Sequence, residues 1–212
     1  MTVTVKNIFC VGRNYAEHAQ ELKNDVPTSP LLFAKSTHAL AEANGQEIFF
    51  PGDRGQLQYE VEFVAHIARK YEQGIKLEDL VDYMTIGIDL TLRDVQNELK
   101  AQGYPWELSK GFINSAVVSS WQPFMGLKAA MEKDFSLEKN GVEVQRGNLK
   151  NMIFDLPTIF EYTAKHLGLD EGDIFFTGTP AGVGPLNDGD RLVCKWGEQE
   201  IGNCIIRLGT KW

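Results

Sequence analysis

The feature of this sequence that most constrains its fold is a series of short apolar segments, many of them ended by turn residues. IFCV and QEIFF are typical, because β-branched and aromatic residues dominate them and glycine or proline follows directly. Few stretches have helical periodicity, among them RDVQNELKAQG and DLPTIFEYTAKHLGL. The regular strand–helix alternation of a doubly wound sheet is absent. The pattern therefore predicts an α+β fold built on a barrel-like sheet, with a few peripheral helices.

Length and net charge restrict the number of domains and the kinds of partner that this chain can have. The 212 residues, 43% of them hydrophobic, are enough for one sizeable core, and no linker divides them, so we expect a single domain over residues 1–212. A net charge of −8 argues against nucleic acid as a partner. No apolar run reaches membrane-spanning length, so no membrane partner is expected either.

The cysteines and the N-terminus indicate where the protein works. The three cysteines, Cys10, Cys194 and Cys204, are far apart, and no Cys-x-x-Cys pair is present. The first residues, MTVTVKNIFCVG, alternate instead of forming a basic start and an apolar stretch, so we expect no signal peptide. Both observations favour a soluble protein of the reducing cytoplasm.

The segment YEVEFVAHIA, residues 59–68, resembles a strand but carries two acids near its start. Successive strand side chains alternate between faces, so Glu60 and Glu62 share one face, which continues with the apolar Val64. Two converging carboxylates repel each other unless positive charge lies between them, and a hard divalent cation with oxygen ligands would supply it. The alternative is that both acids simply point into water.

A third acid lies in the apolar segment GIDLTLRDVQ. Asp89 stands between Ile88 and Leu90, an unfavourable position for an isolated charge. Arg93 and Gln96 follow at helical spacing and share a face, where a guanidinium and an amide can bind a carboxylate. The alternative is that Asp89 pairs with Arg93 and has no further role.

The segment GRNYAEHAQEL places His18 and Glu21 three residues apart, on one face of a predicted helix. A carboxylate beside an imidazole orients the ring and raises its basicity, as a general base requires. The alternative is an exposed histidine on an acidic helix, with no catalytic role.

Two lysines and one threonine lie near apolar strands or aromatic residues. Lys110, in PWELSKGFINSA, and Lys35, in LLFAKSTHAL, either cover apolar surface with their stems or stabilise a developing oxyanion in a pocket. Thr179 belongs to the glycine-rich loop FFTGTPAGVGP, which is neither a Walker loop nor a dinucleotide-binding fingerprint. That loop can present backbone N–H groups to an anion.

Taken in order, these motifs resemble the fumarylacetoacetate hydrolase family, in particular its short members of the acylpyruvate hydrolase type. The motifs are GRNYAEHAQEL, PLLFAKSTHAL, YEVEF, IDLTLRDVQ, WELSKGF and FFTGTPAGVGPL, and the likeness runs from about Ile8 to the C-terminus. The resemblance implies a mixed β-sandwich roll, usually a homodimer. It also implies that Glu60, Glu62 and Asp89 bind Mg²⁺ or Mn²⁺.

The same resemblance implies roles for the remaining candidates. His18 and Glu21 match a water-activating dyad, and Lys110 matches a lysine that stabilises an enolate. The positions implied to contact a keto-acid substrate are Arg13, Lys35, Arg93, Gln96 and Thr179.

The expected activity is hydrolytic C–C cleavage of an acylpyruvate, such as acetylpyruvate or fumarylpyruvate, to pyruvate and a carboxylic acid. One alternative is decarboxylation of oxaloacetate, which passes through the same enolate. Others are isomerisation or decarboxylation of 2-oxo-diene-dioates in aromatic catabolism. A non-enzymatic binding protein is a further alternative, disfavoured by the apolar setting of Asp89 and the aromatic neighbours of Lys110.

Overall fold

The computed structural model describes residues 3–21 and 26–209, and strands dominate it. The sixteen strands within these ranges are β1 (Asn7–Gly12), β2 (Leu31–Lys35), β3 (Leu40–Glu42), β4 (Asn44–Phe50), β5 (Leu57–Tyr59), β6 (Val61–Ile67), β7 (Val81–Asp89), β8 (Thr91–Leu92), β9 (Ala116–Val118), β10 (Gln122–Pro123), β11 (Phe135–Lys139), β12 (Val142–Gly147), β13 (Asp173–Phe176), β14 (Gly184–Pro185), β15 (Arg191–Trp196) and β16 (Gln199–Leu208).

Helices are few and mostly short. Within the described ranges they are α1 (Ala16–Glu21), α2 (Leu77–Leu80), α3 (Arg93–Gln102), α4 (Glu107–Lys110), α5 (Leu127–Met131) and α6 (Leu156–His166). The two longest coincide with the segments of helical periodicity. At the start of α6 the Asp155 side chain accepts the Thr158 N–H at 3.0 Å, and α3 ends at Gly103, whose φ of 69° is left-handed. None of the described helices is long and apolar enough to cross a membrane.

The strands form three sheets. The largest has the order β2-β1-β13-β6-β7-β9-β3, with β10 also paired to β7, and it combines parallel and antiparallel neighbours. A five-stranded sheet has the order β12-β11-β15-β16-β4, and a small one the order β14-β5-β8. Aromatic side chains join the two larger sheets: the rings of Phe63 on β6 and Trp196 on β15 lie 5.8 Å apart. The predicted α+β sandwich roll is confirmed.

The predicted strand over residues 59–68 is wrong in one respect, because the structure divides it. β5 and β6 belong to different sheets, and Glu60 is the residue at which the chain passes from one to the other. At this break the Val61 N–H donates to the side-chain Oε1 of Gln145 at 2.8 Å. A side chain from the second sheet therefore provides a hydrogen-bond acceptor at the strand break.

The central strands lie close together around Gly87 on β7. A Cβ atom there would lie 2.7 Å from the Phe176 ring and 2.8 Å from the Val117 carbonyl oxygen. Gly87 pairs with Glu62 on β6, so its lack of a side chain permits close packing beside that acid. The single domain over residues 1–212 stays a prediction, and residues 1–2, 22–25 and 210–212 of that range lie outside the described residues.

Candidate metal centre and active site

The pairing of β6 with β7 brings the three predicted acids together. Val61 pairs with Ile88 in the antiparallel register, and the Asp89 N–H donates to the Glu60 carbonyl oxygen at 2.8 Å. One carboxylate oxygen from each of Glu60, Glu62 and Asp89 lies within 4.8 Å of the others. All three side chains are buried, with at most 5% exposure. The alternative that Glu60 and Glu62 point into water is therefore wrong.

The donors of this cluster suit a hard divalent ion. Three carboxylates converge, and carboxylate oxygen is a ligand that Mg²⁺ and Mn²⁺ prefer. Lys35 Nζ lies 2.6 Å from Asp89 Oδ1, and the two form a buried ion pair. Lys110 Nζ bridges the cluster, 2.7 Å from Glu60 Oε2 and 2.8 Å from Asp89 Oδ2. The carboxylates of this cluster already lie around buried ammonium groups, so these residues fit a divalent cation.

Glu60 and Glu62 differ in how far nearby positive charge compensates their carboxylates. Burial raises the pKa of Glu60, but Lys110, Arg93 and His18 outweigh it, so the pKa is held well below its usual range. Burial and then Asp89 raise the pKa of Glu62, against the Gly178 N–H that donates to its Oε2 at 2.7 Å. No described lysine or arginine forms an ion pair with Glu62. A cation at this point would relieve the repulsion.

Arg93 pairs with Glu60, so the alternative that Asp89 pairs with Arg93 alone is wrong. Its Nη2 lies 2.5 Å from Glu60 Oε1, Nη1 donates to Gln96 Oε1 at 2.6 Å, and Nε donates to Gln58 Oε1 at 2.7 Å. Arg93 and Gln96 share a face of α3, as the spacing predicts. The guanidinium orients Glu60 and leaves the amide nitrogen of Gln96 for other partners.

His18 is buried and faces the acid cluster. It is 5% exposed, so the alternative of an exposed histidine is wrong, and its Nδ1 lies 3.5 Å from Glu21 Oε2. The Glu21 carboxylate in turn accepts the Gly182 N–H at 3.2 Å, which joins α1 to the glycine-rich loop. Burial lowers the pKa of His18, although Glu60 and Glu21 raise it. The ring is therefore neutral at neutral pH, as a proton acceptor must be.

The two predicted lysines are buried and paired with acid. Burial lowers the pKa of Lys110, but Asp89 and Glu60 outweigh it and raise the pKa, so the ammonium stays charged. Its Nζ also lies 5.3 Å from the centre of the Phe33 ring. Lys35 Nζ donates to the Ser115 carbonyl oxygen at 2.8 Å beside Asp89. Neither ammonium is solvated, contrary to the surface alternative.

Thr179 is held at the cavity wall by the fold. Its hydroxyl donates to the Val61 carbonyl oxygen at 2.8 Å and accepts from Gln145 Nε2 at 2.9 Å. Gln145 also supplies the acceptor for the Val61 N–H. One buried amide therefore fixes both the strand break at Glu60 and the loop that carries Thr179.

One cavity brings most of the predicted residues together. It is lined by Val11, Gly12, Arg13, His18, Phe33, Glu60, Glu62, Asp89, Arg93, Gln96, Lys100, Trp106, Lys110 and Thr179. Lys35 and Glu21 are not among these lining residues. Lys35 contacts the lining residue Asp89, and Glu21 contacts the lining residue His18.

Three residues of the site were missed at the level of sequence. Lys100 stands seven residues after Arg93 and four after Gln96, so helical spacing alone could have placed it on the same face. Asn14 holds the turn before α1: its Nδ2 donates to the Thr177 carbonyl oxygen at 2.9 Å. No local signal marks Asn14 or Gln145, because their partners are far away in the chain.

Comparisons with known proteins agree with this architecture. The family profile described as fumarylacetoacetate (FAA) hydrolase, C-terminal, matches residues 7–208. The mitochondrial oxaloacetate tautomerase of Caenorhabditis elegans is 39% identical over 186 residues, which cover 86% of each chain. The mitochondrial oxaloacetate decarboxylase of Dictyostelium discoideum is 35% identical over 194 residues, 90% of this chain and 88% of the relative.

A solved structure is similar over nearly the whole chain. Fumarylpyruvate hydrolase from Pseudomonas aeruginosa, in complex with Mn²⁺ and pyruvate, superimposes with a TM-score of 0.89 at 31% identity. The match covers 99% of this chain and 92% of that enzyme.

Proposed function

The chain belongs to the fumarylacetoacetate hydrolase family, and we propose that it is a divalent-metal-dependent enzyme that interconverts the enol and keto forms of oxaloacetate. Relatives that act on oxaloacetate, a tautomerase and a decarboxylase, support this substrate better than the acylpyruvates expected from the sequence. The observation that carries the proposal is a buried His18 in the same cavity as three clustered carboxylates and Lys110.

The proposed metal ligands are Glu60, Glu62 and Asp89. Bound there, Mg²⁺ or Mn²⁺ supplies a Lewis acid that polarises the 2-oxo group of the substrate. Arg93 keeps Glu60 oriented, and the Gly178 N–H does the same for Glu62. Such outer contacts are what hold ligands in a productive geometry.

His18 is the proposed proton carrier. Because the Glu21 carboxylate can only accept, the Nδ1 that faces it carries the proton, and Nε2 is left with a free lone pair. Nε2 accepts a proton from C3 of the keto form, the C3–H electron pair forms the C2–C3 double bond, and the carbonyl pair moves onto O2. The imidazolium then returns the proton to O2, which gives the enol. The reverse sequence gives the keto form.

Lys110 is the proposed stabiliser of the charge that develops on O2. Its ammonium is fully charged and lies at the acid cluster, where that oxygen would bind. Gln96 lines the same cavity, and we assign its amide nitrogen to the carboxylate of the substrate. Thr179 also lines the cavity, but its hydroxyl proton is donated to Val61, so its predicted contact with the substrate stays a prediction. Lys35 holds Asp89 from behind, so its proposed contribution is to position that ligand.

Hydrolysis of an acylpyruvate is the second candidate, and the His18–Glu21 pair favours it because the same base can take a proton from water. The similar fumarylpyruvate hydrolase structure also supports it.

Substrate assays with and without Mg²⁺ or Mn²⁺ separate these activities. We expect metal-dependent decay of the enol absorbance of oxaloacetate without release of pyruvate. Pyruvate and CO₂ would indicate decarboxylation, and cleavage of acetylpyruvate or fumarylpyruvate would indicate the hydrolase. His18→Ala should lower kcat/KM by about 10²- to 10⁴-fold, while the exposed control His38→Ala leaves it unchanged. Unaltered turnover in His18→Ala would refute the proton-carrier role.

A further inference from the structure

Four cationic side chains line the cavity, and only two of them are neutralised by acid. Lys110 is paired with Glu60 and Asp89, and Arg93 is paired with Glu60. Arg13 and Lys100 line the same cavity, and neither forms an ion pair with any of the described acids. Arg13 and Lys100 therefore add positive charge to the cavity that no ion pair among the described residues balances.

Lys100 is held in this position despite repulsion from its neighbours. Its ammonium lies 5.1 Å from the centre of the Trp106 ring, a cation–π distance. Burial, followed by Arg93 and Arg13, lowers the pKa of Lys100 to about 8. A bound anion at this point would offset the repulsion and raise this pKa again.

Arg13 is presented by a strained backbone. Its φ of 60° lies in the left-handed region, which is unfavourable for a residue with a side chain. The next residue, Asn14, fixes this turn through Nδ2 bonds to the carbonyl oxygens of Phe154, at 3.0 Å, and Thr177, at 2.9 Å. The fold thus holds Arg13 at the cavity wall against a local conformational preference.

The face of α3 relates these cations to the acid cluster. Arg93, Gln96 and Lys100 follow one another at three and four residues, so they form one row along the helix. At 1.5 Å per residue the Cα of Lys100 lies about 10 Å beyond that of Arg93, and helical side chains lean back toward the N-terminus. Lys100 is therefore about two turns further along the helix than Arg93, away from the Glu60 carboxylate that Arg93 orients.

We propose that Lys100 and Arg13 form a subsite for the second carboxylate of a four-carbon diacid, which selects dicarboxylic over monocarboxylic 2-oxo acids. The inference rests on the proposed function, in which the 2-oxo end of the substrate faces Glu60, Glu62 and Asp89. The distal carboxylate then extends toward Trp106. Lys100 is a specificity-determining residue in this arrangement, since it contacts the distal carboxylate and not the C3–H or the O2 between which the proton moves.

Binding of two unreactive ligands to the Mg²⁺-loaded protein tests the subsite. Malate and lactate share a 2-hydroxy acid end and differ in the second carboxylate, so titration calorimetry isolates that group without turnover. We expect wild type to bind malate about ten- to a hundredfold tighter than lactate, the range for a charge-assisted contact. Lys100→Met should abolish this preference and leave lactate affinity unchanged, and Lys100→Arg should retain it.

Two further variants complete the test. Arg13→Asn removes the charge while tolerating the left-handed backbone, and it should weaken malate selectively. Lys128→Met, which changes an exposed lysine on α5, should behave as wild type. Equal affinity for both ligands in wild type, or an intact malate preference in Lys100→Met, would overturn the subsite. A malate preference without turnover of oxaloacetate would instead overturn the proposed function and leave the subsite standing.

Discussion

Asp89 donates its backbone N–H to the carbonyl oxygen of Glu60 at 2.8 Å, so the end of β7 lies beside the residue at which β5 gives way to β6. This single contact sets the separation of two carboxylates that are distant in sequence. Lys110 then reaches both of them, and Glu62, the second residue of β6, completes the cluster. The candidate metal centre is therefore a consequence of strand register.

Divalent metal should stabilise the fold through this cluster. At a hundred times its Kd, Mn²⁺ should raise the free energy of unfolding by about 2.7 kcal/mol, because it binds only the folded chain. Glu62→Gln should remove most of this gain, and Glu161→Gln, an exposed change on α6, should retain it. Urea unfolding with and without Mn²⁺ measures both. Equal metal stabilisation in Glu62→Gln would contradict a metal site at this cluster.

Removal of the Lys110 charge should destabilise the protein without metal. Lys110→Met leaves Glu60 and Asp89 with less compensating charge, and loss of one partner from a buried ion pair typically costs about 3–5 kcal/mol. Mn²⁺ should restore more stability to this variant than to wild type, since it supplies the missing charge. Lys128→Met is the matched control in the same unfolding assay. A metal response no larger than that of wild type would argue against this compensation.

Activity should depend on pH through His18. Its pKa is lowered from 6.5, so the active neutral form is lost only when the pH falls below that value. Glu21 raises this pKa, so Glu21→Gln should shift the acid limb of kcat/KM to still lower pH, whereas the exposed Glu17→Gln should not. Profiles of kcat/KM for oxaloacetate measure the shift. If the acid limb of the profile moved to higher pH in Glu21→Gln, a group other than His18 would control it.

Gln145 should couple fold stability to the site. Gln145→Ala leaves the Val61 N–H without its side-chain acceptor and removes the Thr179 contact, at about 1–3 kcal/mol for each buried group left unpaired. The variant should unfold at lower urea concentration and raise KM, because Thr179 loses support. Gln73→Ala, at an exposed position, provides the control. Normal stability with a raised KM would assign Gln145 to substrate binding alone.

Local spacing was enough to predict several parts of this protein. The His18–Glu21 pair and the shared face of Arg93 and Gln96 follow from helical periodicity, which depends only on near neighbours. The alternation of Glu60 and Glu62 likewise indicated a common face. These features need no information about the rest of the chain.

The pairing of these residues depends on contacts between distant segments. The sequence leaves open a pairing of Arg93 with Asp89, but the return of β8 beside β5 gives Arg93 Glu60 instead. The break at Glu60, the reach of Gln145 and the unbalanced charge of Arg13 and Lys100 likewise depend on strand register and sheet packing between distant segments. Residue spacing is enough to show which side chains share a face, because that periodicity is local. Which of these faces pack together depends on contacts between residues far apart in the chain, so only the folded structure shows it.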